Sequence, residues 1–147
     1  MWYLTAVAML AGIANAVQPG MNATFGKSLA MPVAGGIFSL LSSAMIAALV
    51  GLATGYLHWP DSASFRGIPW WAWGGGVFGA LLVVAQVFVA PALGATLYLG
   101  IIVTVGVVTS IALDHYGLVG FEPHAAGLWR ILGGVLMIAG VALVAIF

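Results

Sequence analysis

Cysteine is absent from this chain, which excludes disulfide bonds and thiolate metal sites. Charge is nearly absent too, with three basic and three acidic side chains in 147 residues. A soluble domain of this length could not keep its surface wet with so few. The net charge of zero argues against nucleic acid or an anionic lipid surface as partner. The histidines His58, His115 and His124 are scattered without metal-ligand spacing, so neither a metal nor a cofactor is expected. Catalysis lacks its usual parts: there is no Gly-rich phosphate loop, no carboxylate pair in a helix core and no nucleophile beside a base. No enzyme is expected.

What is present is oil-soluble. Hydrophobic residues make up 64% of the chain, which places it among integral membrane proteins. A helix rises about 1.5 Å per residue, so about 20 residues cross a hydrocarbon core of about 30 Å. Five segments meet this length: Trp2 to Ser28, Pro32 to Leu57, Pro69 to Ala90, Leu93 to His115 and Pro123 to Phe147. The fold class is therefore an all-α membrane protein, one five-helix domain over residues 1–147. Three segments open on proline, which suits the first helical position because the missing N–H has no partner there anyway. Ala14-Asn15-Ala16 has the form of a signal-cleavage site, but no Lys or Arg precedes it, so the segment is read as a permanent helix. The wettest connection is His58 to Ile68, with Asp61, Ser64 and Arg66. Trp59, Trp70, Trp71 and Trp73 suit the headgroup level, where an indole keeps its ring apolar and its N–H wet.

The first segment carries the strongest functional signal. Asn15, Gln18 and Asn22 fall at i, i+3 and i+7 and stack along one helical stripe. Pro19 lies inside that stripe. It has no N–H to give, and its ring crowds the carbonyl of Asn15, so a kink and a freed oxygen are expected at membrane depth. Ser42, Ser43 and Gln86 are the remaining candidates for a solute-facing wall. Serines can return a hydroxyl to their own helix, whereas amides satisfy themselves less easily. Small residues repeat every fourth position at Ala8-Gly12-Ala16, at Ser39-Ser43-Ala47-Gly51-Gly55 and at Gly75-Gly79, a spacing that lets helix backbones approach in lipid. Arg130, about two turns into a helix opening at Pro123, is expected about 10 Å down and paired with Asp114 or Glu122, as a structural clamp or a gate.

With five crossings the termini lie on opposite sides. Arg66 and Arg130 then share the amino-terminal side, against Lys27 on the other. Two against one is too small a bias to fix an orientation, so insertion both ways is expected, with two copies pairing antiparallel.

Several stretches read together: AGIANAVQPGMNATFGKSL, PWWAWGGGVFGA, PALGA, LDHYGLVGF and LWRILGGVLMIAGVAL. They resemble the YdcZ-type family of bacterial inner-membrane proteins, within the drug/metabolite transporter superfamily. The resemblance implies a five-helix fold, an inner-membrane location, dual-topology antiparallel homodimers and export. It carries family positions onto Asn22, Gly26, Asp114, His115 and Gly117. Two departures stand out. Thr104-Val105-Gly106 occupies a place where relatives hold a glutamine, and the first helix has no acid like that of the related small multidrug exporters. Proton-coupled cation export by that route is not expected; a neutral or zwitterionic solute fits better. The expected function is a secondary transporter for a small polar or amphipathic solute. The alternatives are a non-transporting membrane scaffold or subunit, and a passive pore.

Overall fold

A computed structural model describes residues 2–147, with the backbone alone at 62 and 63. The described residues form helices and no strand: α1 (Trp2–Ser28), α2 (Pro32–Ala53), α3 (Ser62–Arg66), a 3-10 turn (Trp70–Gly74), α4 (Gly75–Phe88), α5 (Ala90–Leu93), α6 (Ala95–Tyr116) and α7 (Leu128–Ile146). Five helical stretches are long and apolar enough to cross a membrane: α1, α2, the 3-10 turn with α4, α6 and α7.

The α1 bounds coincide with the sequence reading, and the helix runs through Pro19 without a break. Elsewhere the ends move, each for a local reason. Only Pro32 begins a spanning helix at its first position. Helix α2 stops at Ala53 rather than Leu57, because Gly55 turns the chain with φ 75° and the Leu57 N–H reaches back to the Gly51 carbonyl. The third span opens as a 3-10 turn after Pro69 and ends at Phe88. Gly94, at φ 82°, separates the single turn of α5 from α6. The largest shift is in the last span, which begins at Leu128 and not at Pro123. The intervening backbone is held by the end of α6: the His124 N–H donates to the Asp114 carbonyl at 2.7 Å, and the Ala126 N–H to His115 Nδ1 at 3.1 Å. Gly117 makes this return possible. It caps α6 at φ 60°, and a Cβ there would come within 2.8 Å of Pro123 Cγ.

The wet connection contains the short helix α3. Asp61 caps it, accepting from the Ser64 N–H at 2.9 Å and from the Ser64 hydroxyl. These bonds, the hydroxyl's first, hold the Asp61 carboxyl below its ordinary pKa.

The chain divides into two compact units, Met1–Ala92 and Leu93–Phe147. In the first, α2 packs on both α1 and α4, and α1 also touches α4. In the second, α6 packs on α7. The close approach of α1 to α2 lies near their connecting turn. There Pro19, Asn22 and Gly26 of α1 and Gly35 and Gly36 of α2 are buried, while Trp2 to Val17 is exposed throughout. A Cβ on Gly35 would collide with the Asn22 main-chain carbonyl, and one on Gly26 would sit 2.6 Å from the Pro32 oxygen. The predicted ladders do not do this work. Gly12, Gly75 and Gly79 have nothing within 4 Å of a Cβ, and Gly51 meets Leu57 of its own connection.

Candidate functional site

Four polar side chains of the first unit form a directed chain of hydrogen bonds. Asn22 Nδ2 donates to Gln86 Oε1 at 3.2 Å. Gln86 Nε2 donates to Gln18 Oε1 at 3.4 Å. Gln18 Nε2 donates to Ser39 Oγ at 2.9 Å. The network ties α1 to α4 and to α2. Asn22 and Gln86 are the most secluded members, 6% and 7% exposed, and Gln18 is half-buried.

A cavity of about 190 Å³ lies between α1 and α2 beside this chain. Gln18, Asn22, Ser39 and Ser42 supply its polar wall, and Phe25 and Phe38 part of its apolar wall. The two phenyl rings stack with centroids 4.8 Å apart and planes 14° apart. No ionisable residue lines the cavity. Each amide NH₂ carries two hydrogens and each amide oxygen two lone pairs, so one bond per group leaves capacity over. Asn22 Oδ1 accepts no hydrogen bond among the described residues. Capacity of this kind beside a void can serve a guest.

The candidates from sequence separate on this geometry. Gln18 and Asn22 line the cavity. Gln86 does not; it holds both from behind, bridging them from α4. Ser42 reaches the cavity wall, but its hydroxyl donates to the Ser39 carbonyl at 3.1 Å. Asn15 and Ser43 are exposed and outside the cluster. Asn15 shares a stripe with Asn22 but lies two turns farther from the α1–α2 turn, beyond the buried contact. Ser39, a network member, stands in the sequence only as part of a small-residue ladder; its place one turn before Ser43 and near Ser42 is the available signal. Thr24, Ser28 and Thr54, near the ends of α1 and α2, return their hydroxyls to their own helices.

In the second unit, Arg130 Nη1 lies 3.5 Å from Asp114 Oδ2, with the side chains 47% and 32% exposed. Because α7 opens at Leu128, Arg130 stands in the first turn and not two turns down. Glu122 makes no ion pair with it among the described residues.

The model of one protein family matches residues 3–143, and its description is "Putative inner membrane exporter, YdcZ". The chain belongs to this family. Membership makes it a multi-pass protein of the inner membrane, in agreement with the five apolar spans, and the family's description supports a transporter. In this member of the YdcZ family, the uncharged cluster joins α1, α2 and α4 by side-chain hydrogen bonds. No curated protein and no solved structure matches the chain significantly.

Proposed function

We propose that this chain is a secondary transporter whose solute rests in the cavity between α1 and α2. One observation carries the reading: Gln18 and Asn22, held by Gln86 and Ser39, border an uncharged cavity with hydrogen-bonding capacity unused. The cavity, about 190 Å³, is below the ~300 Å³ of drug-sized pockets. The solute is therefore small, neutral and polar, with a donor and an acceptor, and with an apolar edge for Phe25 and Phe38.

Two copies, inserted in opposite orientations, pair and rock between outward and inward openings. The near-even split of basic residues supports the dual insertion. The sparse cover of the α1 span, only 6% buried within one chain, supports the pairing. Asp114 and Arg130 clamp the ends of α6 and α7.

Stopped-flow light scattering of proteoliposomes tests the site with a panel of glycerol, urea, erythritol and small amides. Wild-type protein should pass at least one of them, and Asn22→Leu and Gln18→Leu should lower that flux at least tenfold. Equal flux in assembled variants would reject the site. Dual-tag mapping of the carboxyl terminus tests the pairing: a tail on both faces supports it, and a tail on one face removes it.

The mutual satisfaction of the three amides favours a second reading, a non-transporting subunit in which they serve as glue between helices. It predicts no solute flux and co-purification with another membrane chain.

A further inference from the structure

The second unit carries a groove unlike the cavity of the first. It has a volume of about 440 Å³ and follows one stripe on each helix, starting at the Asp114–Arg130 pair. On α6 the stripe descends through Ser110 to Val107, and on α7 through Gly133 to Met137. Seven residues of helix cover about 10 Å, so the groove runs from the end of the bundle well into the apolar zone. Its mouth is charged and hydroxylated; its floor is aliphatic.

The charges at the mouth are not used up on each other. Their single contact, at 3.5 Å, is long against the 2.7–2.9 Å of a strong charge-assisted bond. One of five guanidinium N–H groups is engaged there, and both side chains are partly exposed. A purely anionic headgroup would meet the Asp114 carboxylate, and a purely cationic one the Arg130 guanidinium. A headgroup bearing both signs a few ångströms apart meets neither penalty.

We infer that the α6–α7 groove binds a zwitterionic phospholipid with a primary amine. The Arg130 guanidinium takes the phosphate, the Asp114 carboxylate takes the ammonium hydrogens, and one acyl chain follows Val107, Gly133 and Met137. Gly133 keeps the floor open, because nothing lies within 4 Å of where its Cβ would be. Gly134 is the packing glycine, whose Cβ would touch Ile111 at 3.5 Å.

Native mass spectrometry of the detergent-solubilised protein provides the test, with phosphatidylethanolamine, phosphatidylcholine and phosphatidylglycerol of identical acyl chains. Phosphatidylethanolamine should bind at least fivefold tighter than the other two. Phosphatidylcholine has no N–H for Asp114, and phosphatidylglycerol has no cation. Asp114→Asn should erase the preference over phosphatidylcholine, and Gly133→Leu should weaken all three lipids at least fivefold while α-helical content and melting temperature hold. Excess glycerophosphoethanolamine or inorganic phosphate should fail to displace the lipid. Equal binding of the three lipids by wild-type protein would overturn the inference without any variant. Displacement by either soluble competitor would overturn it in favour of a water-borne phosphate ligand. A Gly133→Leu protein that changes oligomeric state while keeping its lipid binding would overturn it in favour of a second copy on this face.

Discussion

The amide cluster of α1, α2 and α4 and the charged groove of α6 and α7 answer one constraint in opposite ways. In oil, a polar group must find a partner inside the protein or at the water's edge. The first unit uses neutral groups and buries them; Asn22 and Gln86 are nearly sealed. The second unit uses full charges and keeps them in the last turn of α6 and the first turn of α7, half in solvent. An amide can be hidden for the cost of its hydrogen bonds, whereas an ion at the bilayer centre costs several kcal/mol even by the mildest scales. Exposure therefore sorts chemistry: the amides are buried between helices, and the charges stay where water reaches them.

The largest effect that would break this comparison is steric. Gly35→Ala drives a methyl into the Asn22 carbonyl and should cost about 3 kcal/mol or more, read as a fall in melting temperature in detergent. Gly133→Ala in the second unit, with open space around it, should cost less than about 0.5 kcal/mol. Equal losses would mean that the α1–α2 contact is not the tight one. Next comes the network. A double-mutant cycle with Asn22→Leu and Gln86→Leu should give a coupling of about 1 kcal/mol, within the span measured for side-chain hydrogen bonds in membranes. The Asp114→Asn and Arg130→Gln cycle should give less, below about 0.5 kcal/mol and falling with salt, because both groups are part-exposed.

The smallest effect lies outside the spans. Asp61 holds the start of α3 as a carboxylate, so the bond to Ser64 is present above the ordinary aspartate value of 3.8 and is lost as pH falls through its lowered value. An NMR titration of the Ser64 amide should show its midpoint below 3.8.

Much of the architecture is legible in the sequence, because a span needs only length and oil. The ends of α1 and the existence of all five spans follow from that. The end of α2 and the starts of α6 and α7 do not, since they rest on single events that hydropathy does not register. Gly55 and Gly94 at positive φ, and two α6 groups capturing the His124 and Ala126 N–H groups, are such events. The site divides in the same manner. Gln18, Asn22 and Gln86 stand out as amides that cannot satisfy themselves. Asn15 stands out equally but lies where no neighbour reaches, because a helical wheel gives the face and not the height of contact. Ser39 and Gly35 escape notice because a hydroxyl and a missing side chain look alike in a stripe of small residues. The backbone collision that decides between them exists only in three dimensions.

That collision bears on how the protein could move. Gly35 seats the α2 backbone on the main chain of Asn22, while the side chain of the same residue reaches across to Gln86 on α4. Spindle and lever are thus one amino acid: its stem is pinned to one neighbour and its tip is latched to another. A slide of α4 that carried Gln86 with it would turn that tip about a fixed stem, so the posture of a neighbouring rod is delivered to the cavity wall through the two side-chain torsions of one residue.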